Sequence, residues 1–291
     1  MEDRKARRSL VHRPAALNSR PGTPMQQSIE VHVATKTANC TAENRLALPA
    51  IRDGYRRHYA HWHNDSEAHF EEMVCSYERK LSSLLADAGC VNILEIGCGP
   101  GFCLGALQRL GISAFEGIDS DAGQVAVARA RSLPARHIPV PQFAAYATER
   151  PGTFDRVLMF DVLEHVPDQD RLSFLRDVLL VLKSGGVLIC QVPNANSIVA
   201  SRYRYIDATH RTSFTETSLD FELYRAGFDD IAIMEADPIV RPSLRYPRGV
   251  VRWALRRALR HAVRRCYEFE IGGDAWTMPL SPNLLATASR G

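Results

Sequence analysis

Gly97, Gly99 and Gly101 stand at alternating positions directly behind a short apolar run, Ile93 to Ile96, that carries one acid, Glu95. Glycine is needed where a backbone turns sharply or touches a ligand with no Cβ in the way. An acid one turn before such a cradle suits a ligand with an ammonium group, which a carboxylate holds directly or through water. Asp119 lies about 20 residues farther on, where the acid of a nucleotide fold accepts from ribose hydroxyls. Asp161 and Glu164-His165 follow a third apolar run, and His210 stands in a polar stretch with Arg202, Tyr203, Arg204 and Thr209. Histidine titrates near neutrality, so His210 first and His165 second are the candidates for taking a proton from a hydroxyl. The alternative for His210 is a structural role capping the next helix. For His165 it is orienting its own turn.

These side chains need strand ends to present them. The run at Glu95 is too short for a helix and reads as a buried strand, followed by a helix from Phe102 to Leu110 closed by Gly111. Ala114 to Asp119 reads as the next strand and Ala122 to Arg131 as a helix, with Asp121 as its starting charge. A strand from Arg156 to Phe160 runs into Asp161, and ligands in open α/β sheets sit at the carboxyl ends of such strands. Leu182 to Gly186 reads as a helix end with Lys183 in its last turn, then a Gly-Gly turn and a buried strand to Asn194. Upstream, Ser66 is an N-cap for a helix to Ala88 whose Phe70, Met73, Val74, Tyr77, Leu81, Leu84 and Leu85 share one face. Asp230 to Glu235 and Ser281 to Ala288 complete the strands.

The dinucleotide fingerprint G-x-G-x-x-G would put its third glycine where this chain has Phe102, which crowds the helix–strand approach that glycine permits. With Glu95, the segment instead resembles motif I of the class I S-adenosylmethionine-dependent methyltransferases, E/D-x-G-x-G-x-G. Asp161-Val162-Leu163-Glu164-His165-Val166 is similar to the DVLEHV block of small-molecule and glycan members, and Leu182 to Asn194 to the later block ending in Pro-Asn. Asp207-x-Thr209-His210-x-x-x-Phe214-Thr215 resembles a block of glycan-cluster and quinone-type O-methyltransferases. The Asn/Asp-Pro-Pro-Tyr block of enzymes acting on base amino groups is missing, and His137 to Tyr146 shows no match to the adenine contact.

The resemblance implies an α/β fold, a Rossmann-like seven-stranded mostly parallel sheet with helices on both faces and an antiparallel last strand. It implies S-adenosyl-L-methionine as cofactor, held around Glu95, Gly97, Cys98, Gly99, Gly101, Phe102, Asp119, Ser120 and Asp161, with no metal expected. The expected activity is methyl transfer to a hydroxyl of a small molecule or a sugar or glycan intermediate. The alternatives are a non-catalytic cofactor-binding scaffold subunit of a biosynthetic complex and a nicotinamide oxidoreductase, the latter disfavoured by Phe102.

At 291 residues the chain has room for one large domain or a domain with appendages, and 45% hydrophobic residues support a sizeable core. No stretch approaches the ~18 apolar residues of a membrane span, and the start lacks the apolar core of a secretory signal. Seven cysteines without a Cys-x-x-Cys pair fit reduced thiols, so a cytoplasmic location is expected. A net charge of +3 is too small to call for nucleic acid. Residues 1–45 are polar and arginine-rich and read as a disordered tail, with 46–291 as one domain. Tyr55, Tyr59, Trp62 and His63 form either a cover for the cofactor or plain core.

Residues 238–276 are expected to be a basic helical insertion between the last two strands. Val240 to Tyr267 has nine arginines and no acid, with Val251, Ala254, Leu255, Ala258, Leu259, Ala262, Val263 and Cys266 as an apolar stripe. The first reading is that this stripe docks on the domain or on another subunit. The others are residues 249–267 lying on an anionic membrane surface, and a lid whose arginines meet a phosphorylated acceptor.

Overall fold

The computed structural model describes residues 59–60, 63–64, 66–85, 91–239 and 247–291. The tail expected over residues 1–45, together with Tyr55 and Trp62, lies outside them. Helix α1 runs Glu67–Leu84, and the Ser66 hydroxyl caps it by accepting from the His69 N–H at 3.2 Å. Strand β1, Asn92–Ile96, leads through the glycine turn into α2, Phe102–Arg109. Then come β2 (Ala114–Asp119), α3 (Ala122–Ala130, capped by the Asp121 carboxylate), β3 (Ala135–His137), α4 (Phe143–Glu149) and β4 (Phe154–Phe160). The remainder is α5 (Asp168–Val181), β5 (Leu182–Pro193), α6 (Ala200–Tyr205), α7 (Glu216–Ala226), β6 (Asp229–Glu235), α8 (Pro247–Ile271) and β7 (Asn283–Ser289).

The seven strands form one sheet in the order β3-β2-β1-β4-β5-β7-β6. Pairings from β3 through β5 are parallel, and β7 enters antiparallel between β5 and β6. Period-two alternation sends neighbouring side chains to opposite faces. Ile93, Leu158 and Ile189 therefore meet α1, α2 and α3, whereas Leu94, Val157 and Leu188 meet α4, α5 and α7. The sheet is thus covered on both faces, the seven-stranded, mostly parallel arrangement the motifs implied. The chain leaves β1 first toward β2 and later returns on its other side as β4, so the order reverses between β1 and β4. Such a reversal opens a crevice beyond the carboxyl ends of the two strands. The glycine turn, Asp119, Asp161 and Asn194 all stand at that edge.

Two local expectations are corrected. Lys183 does not close a helix: α5 stops at Val181, and Lys183 lies in β5, paired with the Asp155 carboxylate at 2.8 Å. Leu182 pairs with Phe154 and Val187 with Arg156, so Lys183 to Gly186 bulge out of the ladder, with Gly185 at φ +72. A Gly-Gly pair signals a left-handed backbone but not whether it ends a helix or bulges a strand.

The second concerns α8, whose stripe does not dock on the described part of the domain. Arg260 faces inward instead and pairs with Glu235 at the end of β6. Arg264 donates to the carbonyls of Ala275, Trp276 and Met278 at 3.1, 3.0 and 2.8 Å. A guanidinium with five donors matches that crowd of acceptors, and an apolar side chain would leave them unpaired. Val251, Leu255 and Leu259 face outward, 59%, 66% and 50% exposed.

Candidate active site

The glycine turn is built for close approach. Gly97, Gly99 and Gly101 all have positive φ, and the Gly97 and Cys98 N–H groups both donate to the Ile118 carbonyl, at 2.8 and 3.0 Å. A Cβ on Gly97 would overlap the Val162 side chain, whereas one on Gly99 would meet only the Tyr59 hydroxyl, at 3.8 Å. Gly97 is therefore needed for packing, and Gly99 leaves backbone open toward the crevice. Cys98 is buried, and burial pushes its thiol up, so it fills space rather than reacting. Phe102 turns its ring away into an aromatic group with His63, His69 and Phe70, at 5.3, 5.8 and 5.6 Å between centroids.

Two carboxylates flank this turn. Asp119 accepts from the Gly99 N–H through one oxygen and from the Asp121 N–H through the other, each at 2.8 Å. Glu95 is only 4% exposed, and its Oε2 is buried with no partner among the described residues. Burial pushes both carboxyls up, Glu95 well above its ordinary range. A desolvated carboxyl oxygen without a partner is costly when ionised, so the group either stays protonated or is met by a cation or donor. Ser120, beyond β2, is exposed at the rim, with its carbonyl 3.1 Å from the His137 ring.

Asp161 follows β4 with φ +57, a left-handed backbone that a non-glycine residue rarely adopts. Its side chain is open to water through the crevice, yet enclosed enough that burial pushes its carboxyl up. Gln191 of β5 donates to both of its oxygens, at 3.0 and 3.1 Å, and accepts from Lys80 of α1 at 2.5 Å. The Lys80 ammonium lies over the rings of Phe160 and Tyr77, 5.3 and 5.8 Å from their centroids. Lys80, Gln191 and Tyr77 were not singled out as site residues from sequence. Lys80 did carry one signal: it stands three and four residues from Tyr77 and Leu84, so it falls on the helix face that packs inward.

A second group forms where the turn after β4 meets the loop between α6 and α7. The rings of His165 and His210 lie edge to face, 4.7 Å apart. Glu164 is fully buried, and neither carboxyl oxygen has a hydrogen-bond partner among the described residues; burial pushes it well up. His210 Nδ1 lies 2.8 Å from the Tyr203 carbonyl, which can only accept, so that nitrogen carries the proton. Its Nε2 is then the free lone pair and lies 3.9 Å from Glu164 Oε1. The Thr209 hydroxyl donates to Asp207 at 2.6 Å and accepts from His165 Nδ1 at 2.9 Å. Burial, then the neighbouring His210, lower His165 to about 4, so it is neutral near pH 7. One ligating atom from each of Glu164, His165 and His210 lies within 4.8 Å of the others, and the His210 Nε2–Glu164 Oε1 separation of 3.9 Å is longer than a hydrogen bond.

The sequence-derived candidates thus gather at one sheet edge in two groups, the glycine turn with Glu95 and Asp119, and the histidine pair with Glu164. Asp161 stands between them, close enough to influence both Tyr77 and Glu164. Upstream, Tyr59 stacks on His63 at 4.4 Å, and His63 hydrogen-bonds His69 at 3.0 Å, placing these rings beside Phe102 and the glycine turn.

A family model described as a methyltransferase domain matches residues 71–233. A ubiquinone biosynthesis O-methyltransferase of Xanthomonas campestris is 37% identical over 106 residues, 35% of this chain and 43% of that relative. A trans-aconitate 2-methyltransferase of Deinococcus radiodurans is 29% identical over 184 residues, 62% of this chain and 65% of the relative. The chain thus spans less than two thirds of the length of either curated relative. Among solved structures, a SAM-dependent methyltransferase of Archaeoglobus fulgidus superposes with a TM-score of 0.52 at 18% identity, over 73% of this chain and 94% of that one. That likeness is one of fold.

Proposed function

Because the chain belongs to the class I S-adenosylmethionine-dependent methyltransferase family, we propose that it transfers a methyl group from S-adenosylmethionine to a hydroxyl of a small molecule or of a sugar or glycan intermediate. The observation that carries the cofactor half is the orphaned, buried Glu95 Oε2 beside an open Gly99. The cofactor's ammonium would answer that oxygen, and Asp119 would accept from its ribose hydroxyls. Gly97, Cys98, Gly101 and Phe102 would shape the turn around it, and Ser120 and Asp161 would border it. When bound, S-adenosylmethionine supplies an electrophilic methyl group, so the chain's own work is to position the acceptor and remove its proton.

The hydroxyl half is supported by His210. The Tyr203 carbonyl fixes its tautomer, so Nε2 keeps a lone pair, 3.9 Å from Glu164 Oε1. In this reading His210 takes the hydroxyl proton at Nε2, while Glu164, held uncharged by burial, lies beside the imidazolium that results. His165, neutral and tied to Thr209, orients the turn. The two curated relatives add support for small acceptors, one being a ubiquinone biosynthesis O-methyltransferase and one a trans-aconitate 2-methyltransferase.

Calorimetry with S-adenosylmethionine and with NADH tests the cofactor; binding of NADH alone would sink the reading. A screen of sugars, nucleotide sugars and phenols with labelled methyl donor tests the acceptor. His210→Ala should lower turnover by roughly 10²–10⁴-fold and leave cofactor affinity intact, and equal turnover would remove it as the base. Cofactor binding with no acceptor labelled would favour the scaffold alternative.

A further inference from the structure

α8 leaves an apolar face uncovered on the side turned away from the sheet. Val251, Leu255, Leu259, Ala262, Cys266 and Phe269 fall within an arc of about 80° on a helix of 3.6 residues per turn. Arg260 and Arg264, the anchors to Glu235 and the carbonyls before β7, lie on the opposite side. The outward stripe is fully presented, with Leu255 66% and Phe269 90% exposed. Arg248, Arg252 and Arg256 run along one border of it, exposed and without an acidic partner among the described residues. Pro247 to Tyr267 contains no acidic side chain that could neutralise them.

We propose that α8 lies in the plane of a bilayer surface that carries anionic phospholipid. The apolar stripe enters the boundary between headgroups and acyl chains, and Arg248, Arg252 and Arg256 meet the lipid phosphates. A helix with a strongly basic border, an apolar face and low overall hydropathy binds in this interfacial mode. It does not cross: no described helix is long and apolar enough to span a membrane. Charge chooses between a lipid surface and a second copy of the chain. A twofold contact sets each patch against itself, so pairing through this stripe would oppose the same arginine border on both partners. An anionic surface instead gives every arginine in the border an opposite charge. The contact needs neither cofactor nor acceptor, so its test is separate from that of methyl transfer.

Sedimentation of the full chain with phosphatidylcholine vesicles, with and without phosphatidylglycerol, reads the contact directly. The chain is expected to pellet only with the anionic vesicles and to be released by high salt. The triple variant Arg248→Gln, Arg252→Gln, Arg256→Gln should bind roughly 100-fold more weakly. Leu255→Ser combined with Leu259→Ser should also detach. These positions are exposed, so both variants should keep the wild-type circular dichroism and melting temperature, which separates lost docking from lost folding. Equal pelleting with neutral vesicles, no pelleting with either, or unchanged binding by the triple variant overturns the proposal. A dimer in sedimentation velocity that the leucine variant breaks, with no vesicle binding, gives the face to a second copy and overturns it as well.

Discussion

Both oxygens of Asp119 already accept backbone N–H groups, from Gly99 and from Asp121, before any ligand arrives. Each carboxylate oxygen has a second lone pair, so the same side chain can fasten the glycine turn and still receive two hydroxyls. Asp119→Ala should therefore weaken S-adenosylmethionine binding by ~1–3 kcal/mol, the scale of a hydrogen bond lost from a buried polar group. Calorimetry checks this, and an unchanged dissociation constant would remove the ribose role. The positions of Asp119 and Glu95 beside the glycine turn were legible because both stand at fixed spacing from the glycines. Lys80 and Gln191 were not, because they meet across 111 positions and neither belongs to a local pattern. Glu164 was visible only as part of a block; its complete burial is a product of the loop that carries His210 folding over it.

The strand–turn–helix unit at Gly97 shows why the local motif was so readable. Gly97 adopts φ +77 with Val162 pressed where a Cβ would be, so backbone sterics and packing make the same demand. Gly97→Ala should cost roughly 2–4 kcal/mol, combining a left-handed backbone with overpacking. Urea midpoints would measure it, and Val162→Ala in the same chain should recover the packing part alone. Full stability in the single variant would show that the turn relaxes freely. Elements whose limits are set by such local punctuation agree with the sequence: β2 ends at Asp119, and α1 starts from the Ser66 cap. Where a signal is shared by two outcomes, the reading failed, as with Gly185-Gly186 in β5. For α8, periodicity located the stripe correctly but could not say which face the fold would choose. Acceptors on β6 and before β7 chose the arginines.

Titration of the whole ligand-free chain should show opposing limbs. His63 and His165 are each held at about 4 against an ordinary 6.5. Below pH 6.5 the unfolded chain therefore binds more protons at these two histidines than the folded one, so their contribution to stability falls as pH drops toward about 4. Glu95, Asp161 and Glu164 are raised by burial, so above their ordinary range the folded chain binds more protons. Their contribution is fully present below the ordinary carboxylate range and is lost as pH rises through the raised values. Between the ordinary carboxylate range and pH 6.5 the two limbs oppose each other, and above pH 6.5 only the carboxyl limb acts, so melting temperatures should fall as pH rises past 6.5. The alkaline limb should flatten with Glu164→Gln. It should also flatten under saturating S-adenosylmethionine at fixed concentration, as Glu95 gains a cation. An alkaline limb indifferent to both would contradict the burial of these carboxyls.

Among the described residues β6 has a single neighbour in the sheet, β7, and the two are separated in the chain by the whole of α8 and the turn that follows it. On a ribosome, β6 therefore emerges with nothing to pair with and must wait until β7 wedges in beside β5. Order of synthesis and order of assembly part company at this edge, and the sheet closes in one late step that seats two strands together. Until then the β5 flank is an unpaired strand edge, the kind of surface that chaperones shield.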